Sequence, residues 1–275
     1  MKPIYKNYKW LESSILYVLC SVSALLVMFP LLYALVFSFF TSGEANQFPP
    51  KFWPSTLYLK NYYDAWNSIK IYRFVINSTV ISVLITAGQL ITASLSAYAF
   101  SFFTFKGRNV LFIMFIAPYE ATLIPNYLTV RSLGWLDTYQ GMAVPFLASA
   151  LGMFLLRQHF MTIPKDLYEA AQIDGFGRFR FLLSVVIPLS RPALATFGVY
   201  TFMQAWNAYV WPLLVTNSNN MRTVQIGITM LRWEESMSWG LVLAGVIIVL
   251  LPSVLSLIAA QKQLVEGLTA GAVKY

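Results

Sequence analysis

The chain has 275 residues, 58% of them hydrophobic and only 11% charged, with a formal net charge of +8. A soluble domain carries about 25% charged residues, so this balance excludes one and implies an integral membrane protein. The basic residues form no stripe interleaved with base-stacking aromatics, which excludes a nucleic-acid partner, and the lone Cys20 excludes an internal disulfide or a cysteine metal cluster.

In chain order, a short polar start with Lys2, Lys6 and Lys9 leads into an apolar run, Ile15–Phe40. It exceeds the roughly 7–15 residues of a signal-peptide core, and no small-residue cleavage site follows, so a retained span is expected. Further spans are predicted over Phe74–Phe103, Val110–Val130, Tyr139–Leu156, Ala193–Val215 and Trp239–Ala260. The fourth is short against the roughly 20 residues a bilayer needs. The expected fold is all-α, a polytopic protein of six transmembrane helices in one domain, 1–275.

Six spans put both ends on one side, and charge chooses the side. The termini, 104–109 and 157–191 together carry Lys2, Lys6, Lys9, Lys106, Arg108, Arg157, Lys165, Arg178, Arg180, Arg191, Lys262 and Lys274; that is twelve of the nineteen Lys and Arg, against seven in the longer opposite loops. The positive-inside rule places both termini in the cytoplasm.

The outer loop Thr41–Arg73 combines Pro49, Pro50 and Pro54 with Phe52, Trp53, Tyr58, Tyr62, Tyr63 and Trp66. This is either rigid aromatic surface for an external partner or a belt at the lipid headgroups, with Lys60–Ile71 lying along them.

Glu120 is the one acidic residue inside an expected span, flanked by Pro118 and Pro125. It either lines a translocation path or bonds backbone groups freed by the prolines. Span five carries Gln204, Trp206, Asn207 and Tyr209. Amides beside aromatic faces suit sugars, offering hydroxyl partners and stacking surfaces without fixed charge. The bland alternative is an aromatic girdle with an interhelical amide bond. Asn207 is the strongest single substrate-path candidate; Asn77 and Gln89 in span two are weaker, because most such amides join helices. Met114, Met142 and Met153 are read as packing residues.

The longest polar-bearing stretch between apolar runs is Ile163–Pro192. Thr162 as cap and Pro164 in the first turn begin a helix there, and Gly175, able to take positive φ, ends it after roughly ten residues, about 15 Å. Leu167, Ala170, Ala171 and Asp174 fall on one face; Lys165 and Glu169 share another. A second helix, Gly177–Val186 with Phe179, Leu182, Leu183 and Val186, is expected to stop at Pro188. The pair reads as a docking helix and its brace.

Glu169-Ala170-Ala171, Asp174-Gly175, Ile187-Pro188-Leu189 and Pro192 resemble the cytoplasmic EAA loop of ABC-importer permeases of the carbohydrate-uptake class. Phe176 departs from the small residue usual there. The resemblance implies that Leu167, Glu169, Ala170, Ala171, Asp174, Gly175 and Pro188 form a coupling loop seated in a separate ATPase subunit. The segment Pro118–Pro125 and the pair Trp206-Asn207 with Trp211-Pro212-Leu213 also resemble carbohydrate permeases. The tail Gly267–Tyr275, read as extended, resembles that of maltose-type permeases, which lies along the ATPase dimer; Gly267, Thr269 and Gly271 are the residues carried over, while Tyr275 departs from the pattern. In those permeases the outer loop matching Thr216–Ser238 contacts a substrate-binding protein.

The partners implied are a second, homologous permease, a dimer of ATP-binding subunits, an extracytoplasmic binding protein and membrane lipid, in the cytoplasmic membrane. ATP and Mg would sit on the ATPase; this chain has no G-x-x-x-x-G-K-[ST], no H-E-x-x-H and no G-x-S-x-G, and is expected to be neither an enzyme nor a cofactor carrier. Leu136–Phe160 also resembles permeases for glycerol 3-phosphate. A phosphorylated substrate would need cations inside a span, and none stands there, which favours a neutral oligosaccharide or glycoside. A carrier driven by an ion gradient is the alternative from another class, supported only by Glu120 and its prolines.

Overall fold

The computed structural model describes residues 5–68, 70–114, 122–233 and 239–270. Every regular element among them is helical. Two compact units form, Met1–Ile69 with Leu231–Ile248, and Lys70–Met230 with Val249–Tyr275.

In the first unit, α1 (Tyr5–Phe37) is apolar beyond its first polar turns, and none of its span-length apolar stretch is buried within the chain. Nothing in its own sequence breaks it: Pro30 costs one backbone bond, and the run ends only where Ser38 turns the chain. Asn61, in α3 (Lys60–Ser68), holds that turn by donating from Nδ2 to the carbonyls of Ser38 and Phe40, each at 2.8 Å. The loop 41–59 is ordered around Glu44 in α2 (Ser42–Ala45), which closes a capping box with Thr41, accepts the Ser55 N–H at 3.1 Å and pairs with Lys51 at 3.7 Å. Hydrogen bonds from Ser55, with further ones from Thr41, hold its carboxyl at about 2. Phe48, Phe52, Trp53 and Tyr63 are exposed around it.

In the second unit, α4 (Ile71–Phe102) is the axis, packed against the fourth and fifth apolar segments. The third segment comprises α5 (Arg108–Met114) and α6 (Leu123–Ser132); Pro118 and Glu120 lie outside the described residues. The fourth, expected as one span, is broken. It runs α7 (Tyr139–Ala143), a single 3₁₀ turn Val144–Phe146 containing Pro145, then α8 (Ala150–Phe160) after a 44° bend. Thr138 and Ser149 cap the two pieces, accepting the N–H of Gly141 and Gly152 at 3.1 and 3.0 Å. The fifth is interrupted at 207–209 between α12 (Arg191–Trp206) and α13 (Val210–Val215). Then come α14 (Val224–Trp233) and α15 (Trp239–Ala270). Among the described residues three helices are long and apolar enough to cross a membrane, or up to five if each bent pair counts as one span.

Between α8 and α12 lie α9 (Lys165–Ile173), α10 (Arg178–Phe181), a π turn over Leu182–Val186, and α11 (Ile187–Leu189). Two expectations are corrected here. Thr162 does not cap α9; its hydroxyl donates to the His159 carbonyl at 2.7 Å, and Pro164 occupies the N-cap position. Pro188 does not stop the brace helix. The Ile187 N–H bonds the Leu182 carbonyl five residues back, and this wider turn lets the helix pass a residue that would otherwise clash with the preceding turn. The chain turns sharply only at Ser190, by 81° into α12. The tail also differs from the extended reading: α15 continues through Gly267 and Thr269 to Ala270, since one glycine, at about 1 kcal/mol, is too small a penalty to end a run of good helix formers. Gly271 lies outside the described residues.

Candidate functional site

The two helix breaks face one another and open a cleft of about 840 Å³, within the range of small-molecule sites. Breaking a helix at membrane depth frees carbonyls that lipid cannot satisfy. Span two supplies the donors: Gln89 Nε2 bonds Phe146 O at 2.8 Å and Thr92 Oγ1 bonds Leu147 O at 2.6 Å. Gln89 Oε1 in turn accepts from Thr201 Oγ1 at 3.3 Å. Gly88 permits the close approach, because a Cβ there would lie 2.5 Å from Leu147 Cδ2. Trp211 closes one wall, edge-on to Phe146 at 5.3 Å and donating Nε1–H to Gly141 O at 3.2 Å.

Of the residues expected along a substrate path, Gln204 and Tyr209 line this cleft, as does Gln89. Gln204 Nε2 donates to Tyr200 Oη at 2.8 Å, which leaves the Tyr200 hydroxyl proton free to bond a solute. Trp206 does not face the cleft. It is 1% exposed, stacked on Phe202 at 5.9 Å. Asn207 is also outside the lining: its Nδ2 donates to Met203 O at 2.9 Å and its Oδ1 accepts from Gln225 at 3.0 Å, so its amide closes the end of α12. Asn77 joins helices, donating to the carbonyls of Asn220 and Arg222 and accepting from Tyr139 Oη at 2.7 Å. Met142 and Met153 are buried packing residues. Tyr200, Thr201 and Ser149 were not legible as lining residues; a helical-wheel step from Gln204 back to Tyr200 is the signal that could have found the first. Among the described residues, the cleft lining carries no Lys, Arg, His, Asp or Glu.

Asp137, also unanticipated, ties the loop before α7 to the loop after α13. Its Oδ1 accepts the N–H of Asn217 at 2.7 Å and of Ser218 at 2.9 Å, and its own N–H bonds Val215 O. Desolvation pushes its carboxyl up, but the donors from Ser218 and Asn217 and the charge of Arg222 outweigh that, and it is held below its usual range.

Helix α9 ends in a Schellman motif. Gly175 takes φ +76°, its N–H bonds Gln172 O at 3.1 Å, and Phe176 N–H bonds Ala171 O at 2.8 Å. The atypical Phe176 occupies the position whose apolar contact completes that motif; it packs on the core beside Ala171 and under the Arg180 guanidinium, 4.3 Å from the ring centroid. The predicted face splits. Ala171 is buried, whereas Leu167, Ala170 and Asp174 are exposed with Glu169, and Ile173 is 87% exposed. Tyr168 roots the helix on Phe102 at 5.8 Å and Phe181 at 5.0 Å. Pro188 is half-buried behind it.

Apolar helices of spanning length, a largely apolar cleft with a few convergent polar groups at two helix breaks, and a rooted amphipathic helix with one face exposed fit a solute-conducting membrane subunit. The chain belongs to the family of binding-protein-dependent transport system inner membrane components, whose pattern matches residues 6–264. It is a multi-pass inner-membrane protein, and its relatives are transport permeases rather than enzymes. The sn-glycerol-3-phosphate transport system permease protein UgpE of Rhizobium meliloti (strain 1021) is 35% identical over 260 residues, covering 90% of this chain and 92% of the relative. The UgpE protein of Escherichia coli O1:K1 / APEC is 35% identical over 254 residues, 88% of this chain and 90% of its own. The fold is that of a chain from a bacterial ABC transporter involved in import of the acidic polysaccharide alginate, with TM-score 0.81 at 23% identity over 95% of this chain and 99% of that one. Membership of a binding-protein-dependent family displaces the ion-gradient carrier.

Proposed function

We propose that the chain is a single transmembrane domain of an ATP-driven importer for a sugar, oligosaccharide or related polyol or glycoside. It crosses the membrane six times, with interrupted fourth and fifth spans and both termini in the cytoplasm. It pairs with a second, homologous permease and docks on a dimer of ATP-binding subunits, where ATP and Mg reside. It receives solute from an extracytoplasmic binding protein, which meets the loops around Thr216–Ser238 and Thr41–Arg73. Closure of the ATPases moves α9, and the contacts of Tyr168 and Ala171 pass that movement to α4 and α10. The solute passes the cleft at Gln204, Tyr200 and Tyr209, with Glu120 a further path candidate. Gly267, Thr269 and Gly271 are the tail positions offered to the ATPase.

One observation carries the coupling role: α9 turns Leu167, Glu169, Ala170 and Ile173 outward while Tyr168 and Ala171 root it. Glu169→Lys reverses the charge at an exposed position and leaves the ring contacts of Tyr168 in place. Expressed with its partner permease and ATPase, the variant is expected to lose the ATPase on purification, or to keep it without solute uptake. Unchanged assembly and uptake would sink the reading.

A second reading, import of glycerol 3-phosphate or a phosphodiester, is supported by the names of the relatives above. The uncharged cleft lining favours the neutral solute, because a buried phosphate without a cation is costly. Uptake into vesicles through the cognate binding protein, glycerol 3-phosphate against a neutral disaccharide, separates them.

A further inference from the structure

A second cavity, of about 270 Å³, lies between α9 and the ends of α4, α5 and α8. Phe102 and Phe160 form apolar lining; Ser101, Thr104, Arg108 and Lys165 bring donors, and Glu169 stands on the α9 wall. Just beside it, Arg108 Nη2 donates to the carbonyl of Phe100, and Arg157 Nε donates to that same carbonyl at 3.4 Å. One neutral carbonyl offsets neither guanidinium.

The charges do not cancel. Among the described residues, no carboxylate lies within 4.0 Å of Arg108, Arg157 or Lys165, and Lys165 and Glu169 do not close an ion pair despite their i,i+4 spacing. Two cations against Glu169 leave the lining one positive charge in excess, and Arg157 makes it two. Two donors are also idle: Arg108 Nε and Ser101 Oγ are both buried and, among the described residues, without a partner. A buried donor left unmet is destabilising, so such a pair on residues that line a cationic cavity needs an explanation. A tetrahedral anion meets these needs together. Its oxygens accept from the guanidinium fork, the hydroxyl and the ammonium at once, and guanidinium geometry suits phosphate.

We propose that Arg108, with Arg157, Lys165 and Ser101, forms a phosphate-binding site beneath the docking helix, filled by the headgroup of an anionic phospholipid from the cytoplasmic leaflet. The apolar surroundings favour lipid over free phosphate. Phe105, Val110, Leu111 and Met161 are exposed beside the cavity, and the Arg157 guanidinium lies over the Phe112 ring, 4.4 Å from its centroid. A headgroup held there bridges α5 and α9, so bound lipid braces the helix that the function proposed above couples to the ATPase. The choice of leaflet rests on the topology proposed above; the phosphate chemistry does not.

The test is native mass spectrometry of the assembled permease–ATPase complex in detergent, titrated with phosphatidylglycerol, phosphatidylcholine or inorganic phosphate. Wild type is compared with Arg108→Gln, with Arg108→Lys to preserve charge should the first fail to fold, and with Arg131→Gln as a control for any lost cation. Phosphatidylglycerol is expected to bind, phosphatidylcholine not, with affinity falling about ten- to a hundredfold in Arg108→Gln and unchanged in Arg131→Gln. Competition by millimolar inorganic phosphate without lipid binding would keep the anion site but overturn the lipid source. Equal phosphatidylglycerol binding in wild type and both Arg108 variants would overturn the site. Loss of the ATPase in Arg108→Gln, with no anion bound to wild type, would assign the arginines to an acidic residue of the ATPase and overturn the proposal. If wild type fails to hold an ATPase yet binds the lipid, the importer reading fails and the site stands.

Discussion

Tyr168→Ala tests whether the docking helix transmits force or merely binds. The ring of Tyr168 meets Phe181 at 5.0 Å and 67°, and Phe102 at 5.8 Å and 49°. Phe181 is fully buried, and both partners belong to a cluster that includes Tyr98 at the end of α4. Aromatic pairs contribute about 0.5–1.5 kcal/mol each beyond the area they bury, so removing two weakens the root of α9 by about 1–3 kcal/mol. The middle of that range shifts the ratio of rooted to unrooted helix roughly 30-fold. The outward face, Leu167, Glu169 and Ala170, is untouched, so the ATPase should still bind. In proteoliposomes, ATP hydrolysis should persist while solute carried per ATP falls about tenfold. Tyr168→Phe keeps both ring contacts and should behave as wild type. An alanine variant that assembles and carries as much solute per ATP would refute the argument, and so would a phenylalanine variant as poor as alanine.

Two further outcomes follow from the cleft and its rim. Gly152→Ala would place a Cβ 2.1 Å from Phe197 Cζ in a buried contact between α8 and α12; overpacking of this kind costs about 1–3 kcal/mol. The melting temperature of the purified protein should drop by several degrees and recover when Phe197→Leu is added, and a silent Gly152→Ala would mean the two helices are not so closely packed. Asp137→Asn isolates the charge of the outer clamp, since Asn tolerates the positive φ of 57° found there. The folded carboxyl titrates below its usual range, so its contribution is present at neutral pH and is lost as pH falls below about 4. Wild type should therefore melt above Asp137→Asn at pH 7, with the gap closing toward pH 3; a gap independent of pH would show that the charge plays no part.

Much of the architecture is legible in the residues alone. Transfer of apolar side chains out of water is local and additive, so the hydropathy of 15–40, 74–103 and 239–260 places long helices there. Gly175 marks the end of α9 because its positive φ is a property of that residue more than of its neighbours. The segment Ile163–Pro192 was also legible as a polar stretch between apolar runs, and α9 forms within it.

Orientation was not legible. A helix apolar on every side gives no clue to which side meets its neighbour. The sequence could nominate Gln89, Gln204, Trp206 and Asn207, but contacts distant in the chain decided among them. The Phe146 carbonyl, freed in the fourth segment, drew Gln89; Gln225, 18 residues beyond Asn207, took the Asn207 amide; and Trp206 turned into the core. The π turn ahead of Pro188 and the Asp137 clamp arose in the same way. Local chemistry determined which helices form and where they end, and tertiary packing decided which of their polar atoms remained free for a solute.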